Sequence, residues 1–232
     1  MREIKDQEQL AAYLGVPPLD NAFPKPLLPH LTLCRFERGE RICSQGQKAE
    51  YLYVLVQGKI KIYTVSPEGK TLILSFKTPI ELIGDIEYVR DIEIINTVEA
   101  VSEAVMIRVP YRWLRQYAGE HPPLLRLLLD VLARKFHLKS NSMRFNLMYP
   151  VEVRFASYLL AVSFDESDTL YEGRLGAVSL KDAANLIGTS YRHLNRVIRQ
   201  LCADGLIERV RGSIRVKDRQ GLRALAGNGI YE

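Results

Sequence analysis

Residues Ser179–Ile207 read SLKDAANLIGTSYRHLNRVIRQLCADGLI, and this stretch decides the C-terminal fold. Ser179 is placed to cap a helix whose apolar positions are Ala183, Ala184, Leu186 and Ile187. Gly188 supplies the tight turn of a two-helix unit. Ser190 then caps a second helix, with Leu194, Val197, Ile198 and Leu201 on one face at i, i+3, i+4 and i+7. At 100° per residue, Tyr191, Arg192, Asn195, Arg196 and Arg199 fall within about 140° on the other side. An apolar first helix, a small turn residue and a cationic second helix form a helix-turn-helix pattern. In that geometry the start of the second helix meets base edges in the major groove. Arg offers two donors to guanine and Asn pairs with adenine. Ser190 and His193, at the same helix end, complete the candidate reading face. Downstream, Ile207–Arg209 and Ile214–Lys217 flank Arg211-Gly212-Ser213, a hairpin wing that brings Arg211 near a phosphate backbone. The bland alternative is an αα-hairpin with a solvated arginine face.

Charge adds to the motif without deciding alone, because a solvated basic face would carry the same excess. Between Arg174 and Arg223 stand eleven Lys and Arg against four Asp and Glu, a net +7 in a chain whose total is +5. The whole basic excess therefore lies in the segment that carries the motif, as expected if that segment meets a polyanion.

Upstream the texture differs. Lys5–Leu14 suits a short helix, stopped by Gly15 and the Pro17-Pro18 pair. From Leu31 to Val109 the chain runs in short β-rich stretches broken by glycine. Tyr51–Tyr63, YLYVLVQGKIKIY, has two aromatic, β-branched arms around Gln57-Gly58-Lys59, where a strand must turn. Thr71–Phe76 and Asn96–Val109 read as further strands, with a turn at Pro67-Glu68-Gly69. Strands at this spacing indicate a small barrel or sandwich. From Pro122-Pro123 a long helix follows. Leu125, Leu128, Leu132 and Phe136 lie near a heptad spacing, and Leu124, Leu127, Leu129 and Val131 widen the apolar surface beyond one seam. Such a helix needs more than one neighbour, which its own barrel and a partner chain would supply. Pro150 ends it, Val151–Val162 restarts as helix, and Phe164–Gly173 is an acidic loop. Residues 1–120, 121–149 and 150–232 thus divide into a β-rich domain, a dimerisation helix and a winged helix-turn-helix domain.

These residues resemble the Crp/Fnr family of regulators over nearly the whole chain after about residue 30. Arg38-Gly39-Glu40-Arg41-Ile42, then Gln45-Gly46, Ala49, Tyr53, Val54 and Gly58, are similar to the family's barrel signature. Leu82-Ile83-Gly84-Asp85 sits where the family has its ligand-facing Gly-Glu turn. Val153-Arg154-Phe155-Ala156 and Gly188 through Arg196 resemble the helix after the hinge and the helix-turn-helix. Ser190 through Leu194, with Gly84-Asp85-Ile86-Glu87, looks most like the YeiL-like branch. The resemblance implies an α+β chain: a β-roll like a cyclic-nucleotide-binding domain, a long dimerisation helix and a winged helix-turn-helix. It implies a homodimer on double-stranded operator DNA, with RNA polymerase as a further partner and an effector site around Leu82, Gly84, Asp85, Glu87 and Arg90.

The departures are informative. Cyclic-nucleotide-binding members follow the Gly-Glu turn with an Arg-Ser pair on the cyclic phosphate; here Asp85 replaces Glu, and Ile94-Ile95 stands at the pair. A buried phosphate without a cation is strongly penalised, which argues against cyclic AMP; Arg90 is the nearby cation, and reaching the phosphate would need a different loop length. An iron–sulfur cluster needs four cysteine ligands, and the chain has three cysteines, Cys34, Cys43 and Cys202. Cys34 and Cys43 are nine residues apart on expected strands, so a hairpin could oppose them as a redox pair; buried structural thiols are the alternative. His30 and His137 are isolated, which gives haem no ligand set. Arg192 stands where many members carry Glu, so the base preference should differ. The sequence offers no metal-ligand cluster, no phosphate-binding Gly-rich loop and no nucleophile–base spacing, which sets aside an enzyme acting on a phosphorylated substrate. No run of eighteen apolar residues exists and Met1–Glu8 is charged, so the expectation is a cytoplasmic protein with no membrane partner. Two readings of the barrel stay open: a sensor of an unidentified signal, or a ligand-independent scaffold.

Overall fold

The computed structural model describes residues 1–67, 69, 71–162, 174–175, 177–210 and 213–227. The chain forms two compact units, Met1–Lys135 and Phe136–Glu232.

In the first unit, β1 (Arg2–Ile4) and α1 (Gln7–Leu14) precede a 3-10 turn over Lys25–His30. Then come β2 (Thr32–Phe36), β3 (Arg41–Cys43), β4 (Tyr51–Gln57), β5 (Ile60–Val65), β6 (Thr71–Lys77) and β7 (Glu81–Ile83). The short α2 (Asp85–Arg90), β8 (Thr97–Ala100), β9 (Ala104–Pro110) and α3 (Tyr111–Ala118) lead into α4 (Pro122–Met148), whose last turns belong to the second unit. Two antiparallel sheets result, in the orders β1-β2-β9-β4-β7 and β3-β8-β5-β6.

The continuous apolar run of β4 follows from burial on both faces. Side chains alternate along a strand, so Leu52 and Val54 join the core beneath the helices, while Tyr53 and Leu55 join the core between the sheets. The adjacent β9 repeats this: Val105, Ile107 and Val109 face the helices, and Ala104 and Met106 face the second sheet. Gly58 carries the chain across. It has φ +88°, and a Cβ there would lie 2.1 Å from the Glu103 carbonyl oxygen, so only glycine fits. The two arms around it consequently pair with different partners, β4 with β7 and β9, and β5 with β6 and β8.

Two expectations need correction in this unit. Cys34 and Cys43 do not oppose each other across a hairpin: β2 pairs with β1 and β9, whereas β3 pairs with β8 in the other sheet. Both thiols are free. Leu128 does not lie on an open seam. It is 3% exposed and packs with Leu124, Leu127 and Val131 in the core under the first sheet. The outward positions are Leu125 and Leu129, the latter 69% exposed, with Leu132 half-buried. At 100° per residue Leu125, Leu128 and Leu132 fall within about 60° of one another, and the edge of the core-facing side of α4 passes through that arc, covering Leu128 and leaving Leu125 open.

The second unit contains the end of α4, then α5 (Val151–Val162), β10 (Arg174–Leu175), α6 (Ala177–Leu186), α7 (Tyr191–Ala203), β11 (Ile207–Val210), β12 (Ser213–Val216) and α8 (Arg219–Ala226). Its small sheet runs β10-β12-β11, antiparallel. Phe155, Leu159, Ala183, Ile187, Leu194, Ile198, Leu201, Ile207 and Leu222 fill one core shared by α5, α6, α7, β11 and α8. The helix of the motif begins at Ala177, two residues before its expected cap at Ser179. Phe136, Met143 and Leu147 are exposed on the α4 segment of this unit. Phe164–Gly173 and the wing residues Arg211 and Gly212 lie outside the described residues.

Candidate nucleic-acid interface

The turn between α6 and α7 is held from beneath. Gly188 takes φ +67°, a conformation that favours glycine. Arg154 on α5 is buried, and its Nη1 donates to the carbonyl oxygens of Ile187 and Gly188, the second at 3.5 Å. Asn146 Nδ2 donates to the Leu186 carbonyl oxygen at 3.2 Å. These bonds satisfy carbonyls that the end of α6 leaves without helical partners. Arg154 thus ties α5 to the turn between the two helices from 33 and 34 residues upstream.

The second helix is capped by Ser190, whose hydroxyl accepts from the His193 amide at 3.1 Å. Such a cap is worth about 1 kcal/mol. Leu194, Val197, Ile198 and Leu201 are buried, as the spacing predicts. Tyr191, Arg192, Arg196 and Arg199 are exposed, and His193 is half-buried. Among the described residues no carboxylate pairs with Arg192 or Arg196, so both guanidinium groups are available to an anion. Arg199 Nε reaches the Asn195 carbonyl oxygen at 3.4 Å.

Asn195 differs from the other candidates. Its Nδ2 donates to the Tyr191 carbonyl oxygen at 2.9 Å, and its Oδ1 accepts from Nη2 of Arg209 on β11. Both ends of the amide that would read adenine are occupied within the protein. Sequence reasoning missed Arg209 and Arg154 as partners of the motif because their contacts span 14 and 33 positions. Neither has a periodic signal.

In the first unit, the turn expected to face an effector is closed by side chains of the same chain. Gly84 has φ +89°, and a Cβ there would meet the Tyr51 carbonyl oxygen at 2.6 Å and the Tyr111 hydroxyl at 2.7 Å. Tyr111 donates that hydroxyl to the Gly84 carbonyl at 2.5 Å. Burial, then the nearby Glu87 and Asp85 carboxylates, push its pKa up and keep the donor proton in place. Leu82 is buried, and Glu87 accepts from the Ile95 amide at 3.0 Å. Asp85 meets Lys135 of α4: Nζ lies 2.8 and 3.0 Å from its two oxygens, 2.7 Å from the Leu82 carbonyl and 3.2 Å from Glu81 Oε1. Arg90, expected as the local cation, is instead exposed at the far end of α2. The cation at this turn is Lys135, fifty residues along the chain.

Residues 33–121 match the model of the cyclic nucleotide-binding domain, and residues 153–225 match that of the Crp-like helix-turn-helix domain. The chain belongs to the Crp/Fnr family of transcription regulators. Regulatory protein YeiL of Escherichia coli O157:H7 is 27% identical over 194 residues, 84% of this chain and 85% of that protein. The CRP-like cAMP-activated global transcriptional regulator of Mycobacterium tuberculosis is 23% identical over 190 residues, 81% of this chain and 84% of its own. Among solved structures, a CRP-family transcriptional regulator from Thermus thermophilus is 25% identical and superposes with TM-score 0.64, covering 85% of this chain and 98% of that one. A crp/fnr-family regulator from Eubacterium rectale shares the fold at TM-score 0.74 and 20% identity, covering 90% and 97%.

As a Crp/Fnr regulator the chain carries a DNA-binding helix-turn-helix. At the turn of the barrel the Asp85 carboxylate already has Lys135 as counter-charge, Ile94 is buried, and Glu87 is engaged by the Ile95 backbone. Among the described residues no helix is long and apolar enough to cross a membrane.

Proposed function

We infer that this Crp/Fnr regulator binds its operator as a homodimer, reading bases with Arg192 and Arg196 and anchoring on phosphate with Arg199. One observation carries the reading: an exposed arginine face, with no carboxylate pairing Arg192 or Arg196 among the described residues, on a capped helix whose opposite face is buried. Arg196 makes a bidentate contact to guanine, and Arg192 adds a second guanine or a backbone contact. Ser190 and His193 support the start of that helix, and Tyr191 flanks it. A two-fold dimer implies inverted half-sites about one helical turn, roughly 34 Å, apart. Support for dimerisation comes from α4, where Leu125 and Leu129, then Phe136, Met143 and Leu147, stay exposed. Large apolar side chains in such number on one helix indicate a surface to be covered. The protein acts in the cytoplasm, where the operator and RNA polymerase are found.

The barrel responds to a signal other than cyclic AMP, or to none. The second reading is favoured by Lys135, which already satisfies the turn that an effector would engage. The test of DNA reading is selection of sites from random duplexes by wild type, Arg196→Ala and Arg199→Ala. Arg196→Ala should cost about 1–3 kcal/mol and relax one base pair per half-site. Arg199→Ala should weaken all sequences alike and lower the salt dependence by about one unit. An unchanged motif from Arg196→Ala would make it a positioning contact and overturn the assignment.

A further inference from the structure

We propose that Arg209 is a further DNA-contacting residue of this interface, and that Asn195 is a positioning residue that aims it rather than a reader of adenine. The proposal rests on the α7 reading face proposed above and names a contact that lies off that helix.

Strand register explains how Arg209 reaches α7. Along β11, Ile207 is buried in the core shared with α7, and side chains two apart share a face. Arg209 therefore emerges beside the helix, beyond the edge of the core, and is exposed. Glu208 points the other way and pairs across the ladder with Arg215, its register partner, at 3.1 Å. The two described arginines of the hairpin are thereby sorted: Arg215 is paired with a carboxylate, whereas Arg209 is held by a neutral amide. On the wheel of α7, Asn195 stands about 60° from Arg192 and about 40° from Arg199. It is thus the flank residue through which a neighbouring strand can add a cation to the arginine face.

The bonding pattern of Asn195 fixes its role. The carbamoyl group is gripped at both ends, by the Tyr191 carbonyl and by Arg209, which locks its rotamer. Reading adenine would need both bonds broken, exposing a donor and an acceptor together. Arg209 gives one of its five N–H donors to Asn195, and the planar fork leaves the others directed away from that bond. A guanidinium fixed at the rim of the major-groove face suits a phosphate oxygen, for which Arg geometry is matched. The arrangement turns the wing strand and the recognition helix into one cationic surface.

The experiment measures operator affinity of the full chain against salt for Arg209→Ala, Arg209→Lys, Asn195→Ala and the double alanine variant, with Arg196→Ala as control. Arg209→Ala should weaken binding roughly tenfold and lower the salt slope by about one, while Arg209→Lys keeps the slope. Asn195→Ala should weaken binding by less, without changing the selected bases, and should add little once Arg209 is alanine. Melting curves should match wild type within about 2 °C, since substitutions at such surface positions change stability little. Equal losses from Asn195→Ala in both backgrounds, with one selected base relaxed, would make Asn195 a direct reader and overturn the proposal. So would an unchanged slope in Arg209→Ala while Arg196→Ala weakens binding. Were Arg196→Ala also without effect, the α7 interface itself would fall.

Discussion

Lys135→Met should strongly destabilise the first unit. The Lys135 side chain is 22% exposed and that of Asp85 only 3%, with Nζ 2.8 Å from the nearer oxygen. At an effective dielectric of ~20, two unit charges at that distance attract with about 6 kcal/mol. Desolvation of the two groups offsets most of this, so the pair contributes little net stability. Deleting only the cation is different. The thioether keeps the aliphatic stem, but among the described residues Asp85 loses its counter-ion and Glu81 retains Lys77 at 3.3 Å. Stranding a buried partner in this way costs about 3–5 kcal/mol. A unit of this size responds with roughly 3–4 °C per kcal/mol, so its melting temperature should fall by on the order of 10–20 °C. Asp85→Asn in the Lys135→Met background should recover a large part of the loss, because no charge is left to desolvate. The assay is a double-mutant cycle by calorimetry on the full chain. A drop of less than about 2 °C for Lys135→Met, or strict additivity with Asp85→Asn, would refute the clamp.

Three further outcomes follow from particular contacts. The purified protein should sediment at twice 26.5 kDa; Leu129→Glu with Phe136→Glu, at positions 69% and 75% exposed, should yield folded monomer, whereas Leu128→Glu should unfold the first unit. Millimolar cyclic AMP should leave the melting temperature unchanged, although a ligand at a hundredfold excess over Kd would add about 2.7 kcal/mol. Cys43 is pushed up to about 12, first by burial and then by Glu87, and the buried Cys34 is raised as well, so diamide should not couple them in the native protein. The unfolded Cys43 thiol ionises near 9.0 while the native one keeps its proton. Stability should thus fall above pH 9, by up to about 1.4 kcal/mol per unit, and Cys43→Ala should flatten that slope; an identical slope in the variant would contradict the burial.

The sequence alone determined whatever rests on local period and composition. The spacing of Leu194, Val197, Ile198 and Leu201 gave one face of α7, and Ser190 its start, because capping and helical repetition involve neighbours within a turn. The alternation in β4 and the breaks at glycine gave short strands. The basic excess after Arg174 marked which end meets a polyanion. Only the tertiary structure decided which face of α4 is spent on the chain's own core, since Leu128 and Leu129 are equally apolar and differ only by about 100° around the helix. It also decided that Cys34 and Cys43 sit in different sheets, because strand pairing in a roll joins segments far apart in sequence. Lys135 on Asp85, Arg154 on the Ile187 and Gly188 carbonyls, and Arg209 on Asn195 were likewise invisible. Each is a long, flexible cation meeting a fixed acceptor 14 to 50 positions away. Such a contact depends on where the folded backbone places both ends, and no periodicity in the sequence records it.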